Sequence, residues 1–333
     1  MRAETPDLTV VLAALADAAV LEPTLLHFRA QTTRERIEVI VVTPSVDRLG
    51  PLPVTMDGMH SCRVIEAPAA LTVCEANAVG ARAAAAPIVA FAEDHSYVDP
   101  GWGAALLEAH KGDWAAVGPA VVNANPATMT SWADFVMSYG PWMEPAEAGP
   151  RPFLLGHNCS YKRDVLLATG DELPSLLGAE SVFHYRLAAA GHGLYLEPRA
   201  RVSHLNFSRW TVSLRVQFHS GRVYAASLRE GWSKPRKAIY ALASPLIPLV
   251  RLGRSLRLIR QPSYRRVVPT AVIPALALGI LCDGAGQVKG HIAGIGSSEK
   301  GLSDYEYRRV DNVTAGDRRA IEALTASLRG SDA

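Results

Sequence analysis

Short apolar runs and stretches with helical spacing alternate along the first 122 residues. The runs at 8–12 (LTVVL) and 37–42 (IEVIVV) are continuous and β-branched, which is typical of strands covered on both faces. Leucines and a phenylalanine between them follow the spacing of a helix over 18–31. The succession continues with strands at 63–65, 88–91 and 115–122 and helices at 74–86 and 100–110. This alternation predicts an α/β domain, Rossmann-like, with a mainly parallel sheet flanked by helices.

The pattern weakens after residue 122. Residues 123–153 predict a long loop with a short helix, followed by helices at 161–167 and 182–190 and short strands at 194–196 and 201–203. Trp132, Tyr139 and Trp142 in the loop form either a platform for stacking on a sugar or a local hydrophobic core. The core is favoured, because such clusters commonly lie under long loops.

Composition excludes several classes of protein. With 49% hydrophobic and 20% charged residues, the chain is too apolar to be disordered. Its four cysteines form no CxxC pair, which argues against a zinc ribbon or a disulfide scaffold and fits a reducing compartment. The N-terminus shows no signal-peptide pattern, so we expect a cytoplasmic protein.

Charge is distributed unevenly along the chain. Residues 1–198 hold 12 Lys/Arg against 23 Asp/Glu, whereas residues 199–266 hold 15 Lys/Arg and one acid, Glu230. Four of these arginines, at positions 251, 254, 257 and 260, recur every third residue and share a broad helix face with interleaved leucines. The basic stretch has three possible roles: binding nucleic acid, facing anionic lipid, or forming a solvated surface.

Anionic lipid is favoured, because the arginines lie beside the apolar stretches 242–249 and 267–282. No nucleic-acid motif accompanies the charge, so we expect no nucleic-acid partner. Residues 267–282 are 16 in number and include Pro269 and Pro274, which is short of the roughly 20 that a spanning helix needs. They predict an interfacial or re-entrant element or a packed helix. We therefore divide the chain into a catalytic domain (1–215), a basic and apolar helical region that associates with a membrane (216–296) and a polar tail (297–333).

Candidate chemistry is concentrated in Glu93-Asp94-His95, directly after the strand predicted at 88–91. Ligands of open parallel sheets bind at the carboxyl ends of strands. Carboxylates suit Mg²⁺ or Mn²⁺, and an imidazole shifts the preference towards Mn²⁺ or a transition metal. The alternative interpretation is a loop in which Asp94 or Ser96 caps the next helix and His95 is solvated.

Together with segments before and after them, these residues resemble the GT-A glycosyltransferases of family 2, which transfer a sugar from a nucleotide-sugar. The resemblance covers about residues 7–210, and its specificity comes from the order and spacing of several degenerate motifs. Glu93-Asp94-His95 resembles the DXD motif. The other matching segments are Gln31-Thr32, Ala76-Asn77-Ala-Val-Gly80, Asp99-Pro-Gly-Trp102, Gly156-His157-Asn158 with Lys162-Arg163, Gly178-Ala-Glu180 with Arg186-Leu187 and Gly191, and Pro198-Arg-Ala-Arg-Val-Ser-His204.

The chain departs from the family pattern in three places. No acid follows the second strand at Val41-Val-Thr-Pro44, where the family usually contacts the donor base or ribose. His95 stands where the DXD motif ends in an acid. Ala179 stands where a Glu is usual, and Glu180 where the catalytic Asp is usual.

The resemblance implies a role for each candidate residue. A divalent cation, Mn²⁺ or Mg²⁺, would be held by Asp94, His95 and His204 and would neutralise the diphosphate leaving group. Glu180 would be the general base that takes the proton of the acceptor hydroxyl, with inversion at the anomeric carbon. The donor would be contacted by Asn77, Glu93, Asp94, His157 and Asn158.

Structural roles compete with these assignments. His204 has the alternative of a hydrogen-bonded core histidine, and Glu180 that of an acid at a helix N-terminus. His157 and Asn158 have that of an ordinary turn.

We therefore expect an inverting, metal-dependent glycosyltransferase that works at the inner face of the plasma membrane on a glycan or lipid-linked acceptor of the cell envelope. Two alternatives remain open. One is a non-catalytic relative of the same fold that binds a nucleotide-sugar or a partner. The other is a peripheral membrane scaffold.

Overall fold

The computed structural model of the chain describes residues 4–69, 72–229, 232–307 and 309–329. The end of the predicted tail, 330–333, lies outside these residues. The described residues form nine strands of one sheet: β1 Leu8–Ala13, β2 Ile37–Thr43, β3 Ser61–Glu66, β4 Ile88–Ala92, β5 Ser96–Val98, β6 Trp114–Asn123, β7 Gly149–Pro150, β8 Ser160–Lys162 and β9 Gly193–His204.

Helices connect and follow these strands. Those in the first two-thirds of the chain are α1 Glu22–Arg29, α2 Val46–Leu49, α3 Val73–Ala83, α4 Trp102–Ala109, α5 Met129–Tyr139, α6 Arg163–Leu167, α7 Leu173–Gly178, α8 Glu180–Ala189 and α9 Trp210–Leu228. The last third contains α10 Lys234–Ala243, α11 Ile247–Ile259, α12 Ile273–Ala293, α13 Ser298–Tyr307 and α14 Ala315–Arg329.

The chain divides into two compact units that interleave in sequence. The first comprises residues 1–122, 146–204 and 320–333, and the second comprises 123–145 and 205–319. The boundary predicted at residue 215 falls inside α9, and the segment predicted as a loop (123–153) contributes α5 to the second unit.

The sheet of the first unit is parallel in one half and antiparallel in the other. Its order is β3-β2-β1-β4-β8-β6-β9-β5, and β7 pairs with β9. The first four strands are parallel, because helices return the chain to the same end of the sheet. The pairs β4–β8, β8–β6 and β9–β5 are antiparallel. The predicted α/β sheet is therefore confirmed in its parallel half and is mixed overall.

Apolar side chains of β1 and β2 fill the core of this unit on both faces, as their continuous runs predict. Phe28 of α1 and Trp102 of α4 pack against each other in the same core, with ring centroids 6.1 Å apart. Gly80 of α3 lies directly over Val11, where a Cβ would overlap the valine side chain. The core thus fixes the strand ends from which the candidate residues extend.

Two local predictions were wrong. Residues 161–167 begin as strand, because Tyr161 pairs with Val89 and Ala116 before α6 starts at Arg163. The strands predicted at 194–196 and 201–203 are one strand, β9, which continues through Pro198. The short helix predicted within 123–153 is present as α5, which is 11 residues long.

The second unit is helical and closely packed around α12. Gly286 and Gly290 lie against the backbone of α9 at Phe218 and Arg222, where no side chain would fit. Asp134 of α5 is buried and accepts hydrogen bonds from the Phe207 amide at 3.0 Å and from Gln217 Nε2 at 2.9 Å. Burial raises the pKa of the Asp134 carboxyl.

Trp132, Tyr139 and Trp142 are all buried within the second unit, which confirms their interpretation as core.

Candidate functional site

The candidate residues meet where β4 ends and β5 and β9 pair. Glu93, Asp94 and His95 form the link between Ala92, the last residue of β4, and Ser96, the first of β5. The antiparallel register sets Ser96 opposite His204, the last residue of β9. This register brings the His95 and His204 rings together edge to face, with centroids 4.9 Å apart.

The Glu93 carboxylate lies between the two imidazoles. Its Oε1 is 3.5 Å from His95 Nε2, and its Oε2 is 3.4 Å from His204 Nε2. One oxygen of Glu93 and one nitrogen of each histidine all lie within 4.8 Å of one another. Glu93, His95 and His204 therefore form a compact set of one carboxylate and two imidazoles, which we call the Glu-His-His cluster.

Other polar groups hold Glu93 in its ionised form. Asn158 Nδ2 donates to Oε2 at 2.8 Å, and Ser96 Oγ donates to the same oxygen at 3.1 Å. Burial by itself raises the pKa of the Glu93 carboxyl. The charges of His95 and His157 and the hydrogen bonds from His204 and His95 outweigh burial and hold that pKa well below its usual range.

Asp94 contacts the His95 ring and does not contribute an oxygen to the Glu-His-His cluster. Its Oδ1 lies 2.6 Å from His95 Nδ1. An ionised carboxylate only accepts hydrogen bonds, so Nδ1 carries the proton and Nε2 is the nitrogen that faces Glu93. A carboxylate behind an imidazole in this way orients the ring and raises its basicity as a metal ligand.

Helix α1 fixes the backbone of this link. Thr24 Oγ1 donates to the Asp94 carbonyl at 2.9 Å. Gln31, which the sequence resemblance includes, donates through Nε2 to the Asp99 carbonyl at 2.8 Å and accepts from the Gly103 amide at 2.9 Å. The segment from β4 to α4 is therefore held at one end by α1 and at the other by Gln31, which follows α1.

A single turn, residues 156–158, contacts both Glu93 and Glu180. Asn158 bonds Glu93, as described above, and His157 Nδ1 lies 3.1 Å from Oε1 of Glu180, the first residue of α8. Asn158 adopts φ 62°, a left-handed conformation that asparagine tolerates better than most residues. The turn thus links the two glutamates, because Asn158 contacts Glu93 and its neighbour His157 contacts Glu180.

Gly156 is required by the position of Glu180. A Cβ at residue 156 would overlap the Glu180 carboxyl group. The backbone of the turn therefore lies directly against that side chain, and glycine alone leaves it room.

The structure brings together six of the eight predicted site residues around the Glu-His-His cluster and this turn: Glu93, His95, His157, Asn158, Glu180 and His204. Asp94 adjoins the cluster but contacts His95 Nδ1, whereas Glu93, predicted for donor contact, supplies the carboxylate of the cluster. Asn77 lies on α3, and its Oδ1 is buried without a hydrogen-bond partner in the part of the chain that the structure describes.

Sequence reasoning missed Ser96, Thr24 and Gly156 as parts of the site. Neither Ser96 nor Thr24 is marked by a motif in the sequence. Ser96 takes part because of the register of β5 against β9, and Thr24 because α1 packs against the link. Gly156 lies within a family-like segment of the sequence, but the need for glycine at that position depends on its distance to Glu180, which the sequence does not contain.

The Glu-His-His cluster fits a divalent cation. One carboxylate oxygen and two imidazole nitrogens that lie within 4.8 Å of one another are a donor set that could converge on one ion. Two imidazoles with one carboxylate favour Mn²⁺ or another transition metal over Mg²⁺.

Comparison with known proteins gives distant similarities only. No protein-family model matches the chain, and no curated protein matches it. Among solved structures, TarS residues 1–349 of S. aureus is similar at 14% identity over 97% of this chain and 91% of that chain, with a TM-score of 0.46. The mannosyltransferase PcManGT from Pyrobaculum calidifontis, in complex with GDP-Man and Mn²⁺, is similar at 15% identity over 100% of this chain and 89% of that chain, also with a TM-score of 0.46. Both TM-scores are below 0.5, so these similarities carry no argument about the activity of this chain.

Proposed function

We propose that the protein is a metal-dependent glycosyltransferase of the GT-A type, family 2, that moves a sugar from a nucleoside-diphosphate sugar to an acceptor hydroxyl with inversion. The observation that carries the proposal is the Glu-His-His cluster at the end of β4, joined through the 156–158 turn to Glu180. The order of the family-like motifs along the sequence agrees with it.

Glu93, His95 and His204 would hold a divalent cation, Mn²⁺ in preference to Mg²⁺, which supplies positive charge to the diphosphate as it leaves. Asp94 accepts a hydrogen bond from His95 Nδ1, so Nε2 is the nitrogen that would bind the cation, in exchange for any proton it carries. Asn158 and Ser96 hold the Glu93 carboxylate in one orientation.

Glu180 would accept the proton of the acceptor hydroxyl as general base. Its carboxylate is fixed from one side by His157 Nδ1 at 3.1 Å and from the other by the backbone of Gly156. Attack by that hydroxyl from the face opposite the diphosphate inverts the anomeric carbon. The acceptor is a glycan or a lipid-linked sugar, and the protein works at the cytoplasmic face of a membrane.

A donor panel tests the proposal. Purified protein is mixed with uridine and guanosine diphosphate sugars and with Mn²⁺, Mg²⁺ or a chelator, and thermal stabilisation and release of nucleoside diphosphate are measured. We expect one donor to stabilise the protein and to be turned over with Mn²⁺ but not with the chelator.

Variants separate binding from chemistry. Glu93→Gln and His204→Gln are expected to lose the paramagnetic resonance signature of bound Mn²⁺ without any donor present. Glu180→Gln is expected to bind donor normally and to lose about 10²- to 10⁴-fold in turnover. His192→Gln and Glu172→Gln, at exposed positions near β9 and α8, are the matched controls and keep wild-type behaviour.

Full turnover by Glu180→Gln would remove Glu180 from the mechanism. Donor binding without turnover in the wild type would instead support a non-catalytic nucleotide-sugar binder. That alternative is motivated by His95 in place of the last acid of the DXD motif.

A further inference from the structure

Exposed apolar side chains concentrate in one part of the second unit. Among the described residues, ten of the thirteen large hydrophobic side chains that are exposed lie between positions 239 and 292, which marks this segment as a candidate binding surface. They are Ile239, Tyr240, Leu242, Leu246, Leu249, Val250, Val267, Leu278, Leu281 and Ile292.

Exposed aliphatic residues of α10, of α11 and of the short 3-10 helix Ser244–Leu246 between them follow a helical spacing. Ile239, Leu242, Leu246 and Leu249 succeed one another at steps of three and four residues, and we call them the stripe. Their exposed fractions are 63%, 82%, 60% and 68%. A stripe of four aliphatic side chains open to solvent is costly in water unless something covers it.

Basic residues continue the same segment without any acid among them. Residues 232–282 contain nine Lys/Arg and no Asp or Glu. The arginines that follow the stripe are exposed, namely Arg254, Arg257, Arg260, Arg265 and Arg266. The occupant of this face must therefore be apolar in one part and negatively charged in another.

Helix α12 anchors α11 within the unit and is not suited to crossing a bilayer. One helix among the described residues, Thr270–Ala293, is long and apolar enough to span a membrane, but half of it is buried inside the protein. Arg251 of α11 pairs with Asp283 of α12, and Gln287 Nε2 donates to Asp283 at 2.7 Å. A spanning orientation would have to carry this ion pair into hydrocarbon.

We propose that α10 and α11 lie in the plane of an anionic phospholipid surface. In this orientation the stripe of Ile239, Leu242, Leu246 and Leu249 enters the boundary between headgroups and acyl chains, and Arg254, Arg257 and Arg260 contact lipid phosphates. This inference gives a surface and an orientation to the membrane attachment of the proposed function.

Charge complementarity favours lipid over the other occupants. A second copy of the chain would bring two sets of these cations together, with no acid of 232–282 to compensate them. Nucleic acid would satisfy the arginines but would leave the four aliphatic side chains in water.

Flotation with lipid vesicles, measured without any sugar donor, tests the inference on the full chain. Vesicles of phosphatidylcholine alone are compared with vesicles that also contain phosphatidylglycerol. We expect binding to the anionic vesicles only, weakened as salt is raised from about 0.1 M to about 1 M, because the Debye length falls from about 10 Å to about 3 Å.

Two double variants separate charge from apolar contact. Arg254→Gln with Arg257→Gln is expected to weaken partitioning about 25-fold, at about five-fold per basic residue near the surface. Leu242→Gln with Leu249→Gln is expected to weaken it about 100-fold, since two aliphatic side chains no longer enter the interface. Val46→Gln with Arg48→Gln changes an exposed apolar residue and an exposed arginine of the first unit and is the matched control with wild-type partitioning.

Several outcomes would overturn the inference. Equal binding by all these variants would place the contact elsewhere, and protein that resists an alkaline wash of the vesicles would indicate a spanning segment. A concentration-dependent dimer in light scattering that Leu242→Gln dissociates, with no vesicle binding, would identify a second copy as the occupant. Binding to an RNA that is unaffected by the leucine variants would identify nucleic acid. Release of nucleoside diphosphate by the arginine and leucine double variants is measured separately, in the absence of vesicles. A failure of the lipid-binding proposal is therefore distinct from a failure of the transferase proposal.

Discussion

At the scale of single residues, Glu93 illustrates how several weak contacts determine a site. Its Oε2 touches a residue of β5, a residue of β9 and a residue of the 156–158 turn, so that elements distant in sequence converge on one oxygen atom. The histidines around it hold its pKa well below the usual range against the effect of burial. A half-buried carboxylate that stays ionised is suited to hold a cation.

Gly156 provides a test at the same scale. In Gly156→Ala the new Cβ would overlap both the carboxyl group and the Cβ of Glu180, and the Cβ cannot rotate away, so the turn and the start of α8 have to shift apart. We expect the free energy of unfolding to fall by about 1 to 3 kcal/mol and turnover of the donor by the still folded protein to fall about 100-fold, because a displacement of about 1 Å at a reacting group has effects of that size.

The matched control for this change is Gly101→Ala. Gly101 precedes α4 with φ −90°, and nothing lies within 4 Å of the position its Cβ would take. It is expected to keep wild-type turnover and melting temperature. Wild-type turnover in Gly156→Ala would show that the close approach of the turn to Glu180 is not needed for activity.

At the scale of elements, the sequence predicts the parallel half of the sheet and β6 well, and it predicts β5, β8 and β9 of the antiparallel half poorly. Strands β1, β2 and β4 are long, β-branched and buried, so their local pattern is decisive. Strand β8 is three residues long and depends on pairing with β4 and β6, which no local pattern encodes. The site follows the same division: His204 was predicted from its motif, but the Ser96–His204 register that sets it beside His95 was not.

Glycines of the second unit mark a close contact between two helices that the local sequence pattern does not predict. The stretch 284–296 is glycine-rich, and glycine is a poor helix former. In the structure, Gly286 and Gly290 belong to α12 and allow it to approach the backbone of α9. Their cost in helix propensity is offset by packing that depends on a partner helix remote in sequence.

Substitution of helical glycines tests this packing. In Gly286→Ala the Cβ would overlap the Phe218 carbonyl, which is backbone and cannot rotate away, so we expect a loss of about 3 kcal/mol in the free energy of unfolding. Gly253→Ala in α11 meets nothing within 4 Å and is expected to gain about 1 kcal/mol from helix propensity. Chemical denaturation of both variants gives the comparison, and a gain in both would contradict close packing of α9 on α12.

At the scale of the whole molecule, chain order and spatial grouping differ. Residues 123–145 belong with 205–319, although β6 and β7 on either side of them belong to the sheet of the first unit. A sequence read from end to end suggests consecutive domains, because local patterns contain no information on which distant helix α5 will contact. The buried Asp134 of α5 and Gln217 of α9 become partners only in the folded chain.

Two buried histidines of the first unit, His110 and His184, influence how the free energy of unfolding of the whole fold changes at acid pH. Burial lowers the pKa of His110 to about 4, with a further contribution from the Lys162 ammonium, and burial lowers the pKa of His184 to about 4 against the opposing hydrogen bond of Leu154. His110 Nε2 bonds Ser160 Oγ at 2.9 Å, and His184 Nε2 bonds the Tyr161 hydroxyl at 2.8 Å, so both rings sit neutral among neutral partners.

The sign of the pH dependence follows from these shifts. Above pH 6.5 both histidines are neutral in the folded and in the unfolded chain, and their contribution to stability is fully present. As the pH falls from 6.5 towards 4, the unfolded chain binds protons that the folded chain excludes, so each histidine removes up to about 3 kcal/mol from the free energy of unfolding.

We expect His110→Gln with His184→Gln to be less stable at neutral pH but to show a flatter decline on acidification, measured by urea denaturation at a series of pH values. His192→Gln, at an exposed position, should decline as the wild type does, and an equally steep decline in the double variant would mean that other groups govern the acid unfolding of this fold.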